Sequence, residues 1–176
     1  MSETKNQKNK KPTPEEIATD FLEGQRLKDC LMFIEFLRSN NLPPRWIATN
    51  AWEVKPHKYK ILGQLTSQIL RRLRINKEEK SWSVSFHYYS QYNEYVADDG
   101  MRQLITRSLY VKRRFCHGEG CRATVDLNVF GKIFNKMCCN EQIMIVNPSG
   151  EDLEHTKNLL LLTKEIVEKL ISPPIL

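Results

Sequence analysis

The stretch Ser81–Tyr88, SWSVSFHY, decides the fold class of this 176-residue chain. Apolar and polar residues alternate strictly along it, with Trp82, Val84, Phe86 and Tyr88 on one side and Ser81, Ser83, Ser85 and His87 on the other. A period of two is typical of a β-strand with one face on the core. We therefore expect an antiparallel sheet whose second face is solvated or faces a ligand.

Three further stretches resemble strands. The even positions Trp46, Ala48, Trp52 and Val54 predict one strand, in which Asn50 is the exception. Residues 58–76 fit a helix as well as a strand, and their conformation stays open, although alternation favours a strand from about residue 68 to 76. A short strand is expected from Gln142 to Val146.

Amphipathic helices flank these strands. Thr13-Pro14-Glu15-Glu16 combines a capping threonine, a proline at the first helical position and a glutamate three residues after the cap. A second apolar stripe runs from Leu27 to Leu37, and Cys30 lies on it as an expected core residue. A third helix is predicted from Asp98 through Arg114, and a fourth from about Ser149 until Ser172-Pro173-Pro174. His155, in the first turn of the fourth, is expected to be solvated.

These elements predict one α+β domain over residues 13–172. We expect an antiparallel sheet of about four to five strands covered by three or four amphipathic helices. Residues 1–12 are expected to be a disordered basic tail, since Lys5, Lys8, Lys10 and Lys11 against Glu3 give +3 of the net charge of +6. The remaining 164 residues carry only +3.

The composition also limits the compartment. No apolar run reaches the roughly 18 residues of a membrane helix, and the lysine-rich start, MSETKNQKNKKP, lacks the apolar region of a secretory signal. We therefore expect a cytoplasmic protein without membrane contact, whose thiols stay reduced.

The cysteine-rich stretch Arg114–Cys139, RFCHGEGCRATVDLNVFGKIFNKMCC, is where chemistry is expected. Zinc favours four soft ligands in a tetrahedron, which two cysteine pairs joined by a hairpin through Phe130-Gly131-Lys132 can supply. Neighbouring residues of a strand point to opposite faces, so one ion is not expected to use both residues of the second pair. The candidate ligands, not all at once, are Cys116, His117, Cys121, Cys138 and Cys139.

Two other interpretations of the cysteines stay open. They are either packed, reduced thiols or a thiol–disulfide switch, for which Lys112, Arg113, Arg114 and Arg122 would favour the thiolate. The sequence has no Gly-rich phosphate loop, no H-E-x-x-H and no G-x-S-x-G, so an enzyme is not favoured.

The leading expectation is therefore a non-enzymatic binding module, zinc-stabilised through the cysteine stretch, with a protein partner or a small ligand on the sheet face. A thiol-based redox protein is one alternative, and a weak nucleic-acid-binding protein is the other. For nucleic acid, Arg71, Arg72 and Arg74 precede an aromatic strand, a combination that suits single strands. The core, however, also needs Trp82 and Phe86.

The C-terminal third resembles a small bacterial protein family with no assigned activity. The resemblance lies in the run from Cys116 through Val129-Phe130-Gly131-Lys132, Phe134 and Cys138, then Asn147-Pro148 and the last helix. It implies a helix, a short sheet and a cysteine-bearing end within one intracellular domain, and it implies no mechanism.

Overall fold

A computed structural model describes residues 11–55, 69–109, 124–138 and 142–171. Five helices lie within these ranges: α1 Pro14–Phe21, α2 Gly24–Ser39, α3 Tyr92–Tyr95, α4 Asp99–Arg107 and α5 Gly150–Ile171. Seven strands lie there as well: β1 Arg45–Ala48, β2 Ala51–Val54, β3 Leu70–Asn76, β4 Ser81–Phe86, β5 Thr124–Val129, β6 Lys132–Cys138 and β7 Ile143–Val146.

The strands form two antiparallel sheets. Five of them lie in the order β1-β2-β3-β4-β7, and among the described strands β5 pairs only with β6, as a hairpin. Every neighbouring pair is antiparallel, so the predicted α+β fold with an antiparallel sheet is confirmed. The prediction of a strand from about residue 68 to 76 is also confirmed, since Leu70–Asn76 pairs with strands on both sides.

Helix ends follow the capping signals of the sequence. The Thr13 hydroxyl accepts from the Glu16 backbone N–H at 3.2 Å, and the Glu16 carboxylate accepts from the Thr13 N–H at 2.8 Å. This reciprocal capping box satisfies two backbone donors that a helix start leaves without partners. At α4, the Asp98 carboxylate accepts a single hydrogen bond from the Met101 backbone N–H at 2.7 Å.

One face of the sheet is packed under helices. Trp82, Val84 and Phe86 are fully buried, and the Phe33 ring of α2 lies 5.6 Å from the Trp82 ring. Truncating a buried ring of this size to alanine costs about 3–5 kcal/mol. The alternation of Ser81–Phe86 thus fixes which face the helices cover.

The opposite face is less solvated than the serines suggest. Ser83 is half-exposed, but Ser81 and Ser85 are buried, so of the two expected alternatives, a solvated face or a face on a ligand, the solvated one is wrong for both. Because β4 is an inner strand, Ser85 lies between Arg72 on β3 and Met144 on β7, whose longer side chains flank its short one.

Two element boundaries differ from the sequence prediction. The expected single strand from Trp46 is a hairpin, because Asn50 takes a left-handed φ of 54° between β1 and β2. The helix expected up to Arg114 ends at Arg107, and Leu109 instead forms an antiparallel bridge to Ile143. The sequence after Arg107 keeps its apolar spacing, so pairing with β7 overrides local helix preference.

Candidate binding surfaces on the hairpin and the sheet

The β5–β6 hairpin turns at Phe130 and Gly131. Their φ angles are 50° and 83°, and Val129 pairs directly with Lys132 across the turn. Two consecutive left-handed residues are typical of the type I′ turn, which matches the twist of the strands it joins. A bulky residue rarely adopts positive φ, at a cost of roughly 1–2 kcal/mol, so interactions elsewhere must hold Phe130 there.

Asn93 of α3 provides that support. Its side-chain oxygen accepts from the Phe130 backbone N–H at 2.7 Å and from the Tyr88 hydroxyl at 2.8 Å. Its side-chain nitrogen donates to the Asn128 carbonyl at 3.1 Å. In addition, the Arg102 guanidinium lies 5.5 Å from the Phe130 ring centroid. The Asn93 amide therefore fastens the hairpin turn to the rest of the domain, and Val129 and Phe134 of the hairpin also pack against the core.

The far end of the hairpin is where the cysteine-bearing segments leave it. Thr124 pairs with Cys138, and Val125 pairs with the fully buried Met137. The predicted hairpin through Phe130-Gly131-Lys132 is thus confirmed, and the two strand ends that lead toward the two cysteine pairs lie side by side.

Most of the predicted metal ligands lie outside the described residues. Cys116, His117, Cys121 and Cys139 are among them, and of Cys138 the structure describes the backbone in β6 but not the side chain. Within the described ranges, no group of three or more His, Cys, Asp or Glu side chains is arranged to hold a metal ion. The zinc site itself therefore stays a prediction.

Cys30, the remaining cysteine, is a core residue as predicted. It is fully buried in α2, and burial, with a smaller contribution from the charge of Glu15, raises the pKa of its thiol to about 12. A thiol with that pKa is protonated at neutral pH and is a poor nucleophile or metal ligand.

A row of arginines marks the face of the five-stranded sheet opposite the helices. Arg72 pairs with Ser85 and Arg74 with Ser83, while Arg45 on β1 pairs with Glu53 on β2. We call the side of the five-stranded sheet that carries Arg45, Arg72 and Arg74 the arginine face. Arg45 and Arg74 are exposed, Arg72 is half-buried, and the one described carboxylate in the row, Glu53, lies 2.8 Å from the Lys55 ammonium.

The arginine face lacks the Trp82 and Phe86 rings that the sequence placed beside it. Trp82 and Phe86 are buried on the helix-covered face, as the core requirement predicted, so these rings are not available for stacking against bases. The Arg71 side chain lies outside the described atoms. The basic and aromatic groups that are adjacent in sequence are therefore separated by the thickness of the sheet.

The structure brings together one charged cluster that the sequence did not predict. His155 of α5 is only 13% exposed, so its expected solvation is wrong. Its Nδ1 lies 3.4 Å from a carboxylate oxygen of Asp98, and its Nε2 lies 3.5 Å from one of Glu151. The ring packs against Gly100 of α4, where a side chain would leave no room for it. The cluster joins two helices, and the only local signal for it is a glycine in a helical first turn.

Comparisons with protein-family models, curated proteins and solved structures give no match to this chain. Among the helices of the described residues, none combines the length and the apolar character needed to cross a bilayer.

Proposed function

We propose that this chain is a cytoplasmic, non-enzymatic binding module, whose cysteine stretch binds zinc at the open end of the β5–β6 hairpin. The observation that supports the zinc site is the pairing of Thr124 with Cys138. Cys121 precedes Thr124 by three residues, which span at most about 11 Å, and Cys139 directly follows Cys138. Both cysteine pairs therefore belong to segments that start from one place.

The hairpin itself supports a structural role for the metal. A two-stranded hairpin is marginally stable by itself in water, and this one pairs with no other described strand. Asn93 fastens its turn, whereas the Thr124–Cys138 end is where the bulk of the cysteines lie in the sequence. A zinc ion bound by thiolates from the segments that flank β5 and β6 would hold the Thr124–Cys138 end together, as the Asn93 hydrogen bonds hold the turn.

The metal content of the purified full-length protein tests the proposal. We expect about one zinc per chain, and a content under about 0.2 would overturn the zinc site. Cys121→Ser should lose the metal, and so should one of Cys138→Ser and Cys139→Ser, and each loss should lower the unfolding midpoint. The matched control is Cys30→Ala, which alters a buried thiol outside the hairpin and should keep its zinc although it loses stability.

The thiol-redox alternative predicts a different result from the same protein. If the cysteines form a switch, mild peroxide should produce a disulfide between the 116–121 segment and Cys138 or Cys139, detected by mass mapping. Retention of zinc with unreacted thiols supports the structural site, and rapid disulfide formation in metal-free protein supports the switch.

A further inference from the structure

The arginine face is a described surface of this domain that the zinc proposal leaves unused. We infer that it binds the phosphate backbone of nucleic acid without reading base sequence. This inference rests on the proposed function as a binding module and names the partner. It does not depend on the zinc site, since the arginines lie on the five-stranded sheet and not on the hairpin.

The spacing of the three guanidinium groups is set by the sheet. Arg72 and Arg74 are two residues apart on β3, a distance of about 7 Å along the strand. Arg45 is two strands away on β1, about 10 Å across the sheet. Three cations on one side of a rigid sheet form a patch wide enough to contact several neighbouring phosphates.

The chemistry of the face favours contacts to phosphates over contacts to bases. Arginine donates two parallel hydrogen bonds that match a phosphate or carboxylate, and it keeps its charge at every physiological pH. The residues opposite Arg72 and Arg74 on β4 are serines, of which the half-exposed Ser83 adds a hydroxyl donor and neither adds a stacking surface. Contacts limited to phosphates position a nucleic acid but carry no sequence information.

A membrane surface fits less well. Stable attachment to lipid needs an apolar segment or a lipid anchor in addition to basic residues. The apolar side chains that join the face from β7 are Met144 and Val146, of which Val146 is 52% exposed. This is a small apolar area compared with the charge beside it, so the backbone of a nucleic acid is the favoured partner.

Fluorescence anisotropy with a labelled duplex DNA of mixed sequence tests the inference. The full-length chain should bind, and log K should fall linearly with log salt between about 50 and 200 mM. The triple variant Arg45→Gln, Arg72→Gln and Arg74→Gln should bind at least tenfold more weakly at about 100 mM salt. Its salt slope should be smaller by about 1.8 to 2.7, because the phosphate contacts of the exposed Arg45 and Arg74, and up to one more from the half-buried Arg72, are lost. Duplexes of unrelated sequence should bind alike.

A matched variant separates the face from net charge. Lys28→Gln, Lys132→Gln and Lys136→Gln remove the same three charges from exposed positions on α2 and β6. This control should keep most of the affinity and most of the slope. Equal weakening in both triple variants, or an unchanged arginine variant, would overturn the assignment to the arginine face.

Two further arms test the partner and the tail. Phosphatidylserine-containing vesicles should compete poorly with the duplex. Arginine-dependent binding to vesicles in preference to DNA would mean that the partner is a membrane and not a nucleic acid.

Glutamine at Lys5, Lys8, Lys10 and Lys11 in the full chain should lower the affinity for the duplex less than the arginine triple variant does. If the tail variant abolishes binding while the arginine triple retains it, the inference is refuted. Zinc content of the arginine variant should be unchanged, which separates this failure from failure of the zinc site.

Discussion

Gly100 lies where α4 meets α5, and replacing it by alanine gives the sharpest test of the packing described above. Without neighbours, Gly→Ala inside a helix stabilises a protein by about 0.5–1 kcal/mol. Here a Cβ at position 100 would lie 2.5 Å from Nε2 and 3.0 Å from Cε1 of His155. Forcing a methyl group into a packed contact costs roughly 1–3 kcal/mol. The steric cost exceeds the helix gain.

We therefore expect Gly100→Ala to lower the free energy of unfolding by about 1 kcal/mol, which corresponds to about 2–4 °C in the melting temperature of a chain this size. The His155 ring is not free to swing aside, because it is 13% exposed and lies between the carboxylates of Asp98 and Glu151. Urea unfolding followed by circular dichroism measures the change.

The same substitution in a His155→Ala background is the control. With the ring removed, the alanine at position 100 meets no imidazole atom, and the helix gain should appear as stabilisation of up to about 1 kcal/mol. The sign of the effect therefore reverses, and the coupling energy from the double-mutant cycle should be about 1–3 kcal/mol. Additive effects, or a Gly100→Ala protein as stable as the wild type, would refute the steric reasoning.

Three further outcomes follow from the described contacts. Asn93→Ala should lower the free energy of unfolding by about 2 kcal/mol and speed amide exchange in the hairpin turn, since three hydrogen bonds are lost. As the control, Asn135→Ala at an exposed position of the hairpin should change the free energy of unfolding by less than about 0.5 kcal/mol. Because burial raises the pKa of Cys30 to about 12, its thiol should escape iodoacetamide at neutral pH until the protein unfolds, and labelling in the native state would contradict the burial. Burial raises the pKa of Glu15, but hydrogen bonds and the charge of Arg38 outweigh burial and hold that pKa below 4.5. The Glu15–Arg38 ion pair should therefore stabilise the fold above pH 4.5, and this stabilisation should be lost as the pH falls through the lowered pKa. In Glu15→Gln, that part of the pH dependence, about 0.5 kcal/mol at most, should be absent from unfolding curves measured from neutral to acidic pH.

The parts of the fold that local patterns determine were predictable. The capping box at Thr13 and the acidic cap at Asp98 involve residues three apart, and both helices begin where the sequence indicates. The period of two along Ser81–Phe86 correctly assigned Trp82 to the core face. In each case the interaction that fixes the element is encoded within a few residues of it.

The parts that depend on distant partners were not predictable. A type I′ turn is normally indicated by Asn-Gly or Asp-Gly, and here the turn is Phe130-Gly131. The group that supports Phe130 is Asn93, which is distant in sequence and attached to another element. Similarly, His155 is covered by Asp98 and Gly100, although the sequence predicts that it is exposed. No spacing along the chain relates His155 to these two residues.

The arginine face combines both kinds of information. The alternation of Leu73 and Ile75 with Arg72 and Arg74 places the two arginines opposite the core. Arg45 joins them only because β1 pairs with β2 in the register that sets it opposite Glu53. A register shift of one residue would turn Arg45 toward the core face and leave a patch of two cations. Phosphate binding that needs all three arginines therefore depends on strand register. A variant that disturbs the β1–β2 turn at Asn50 should weaken phosphate binding without removing a charge.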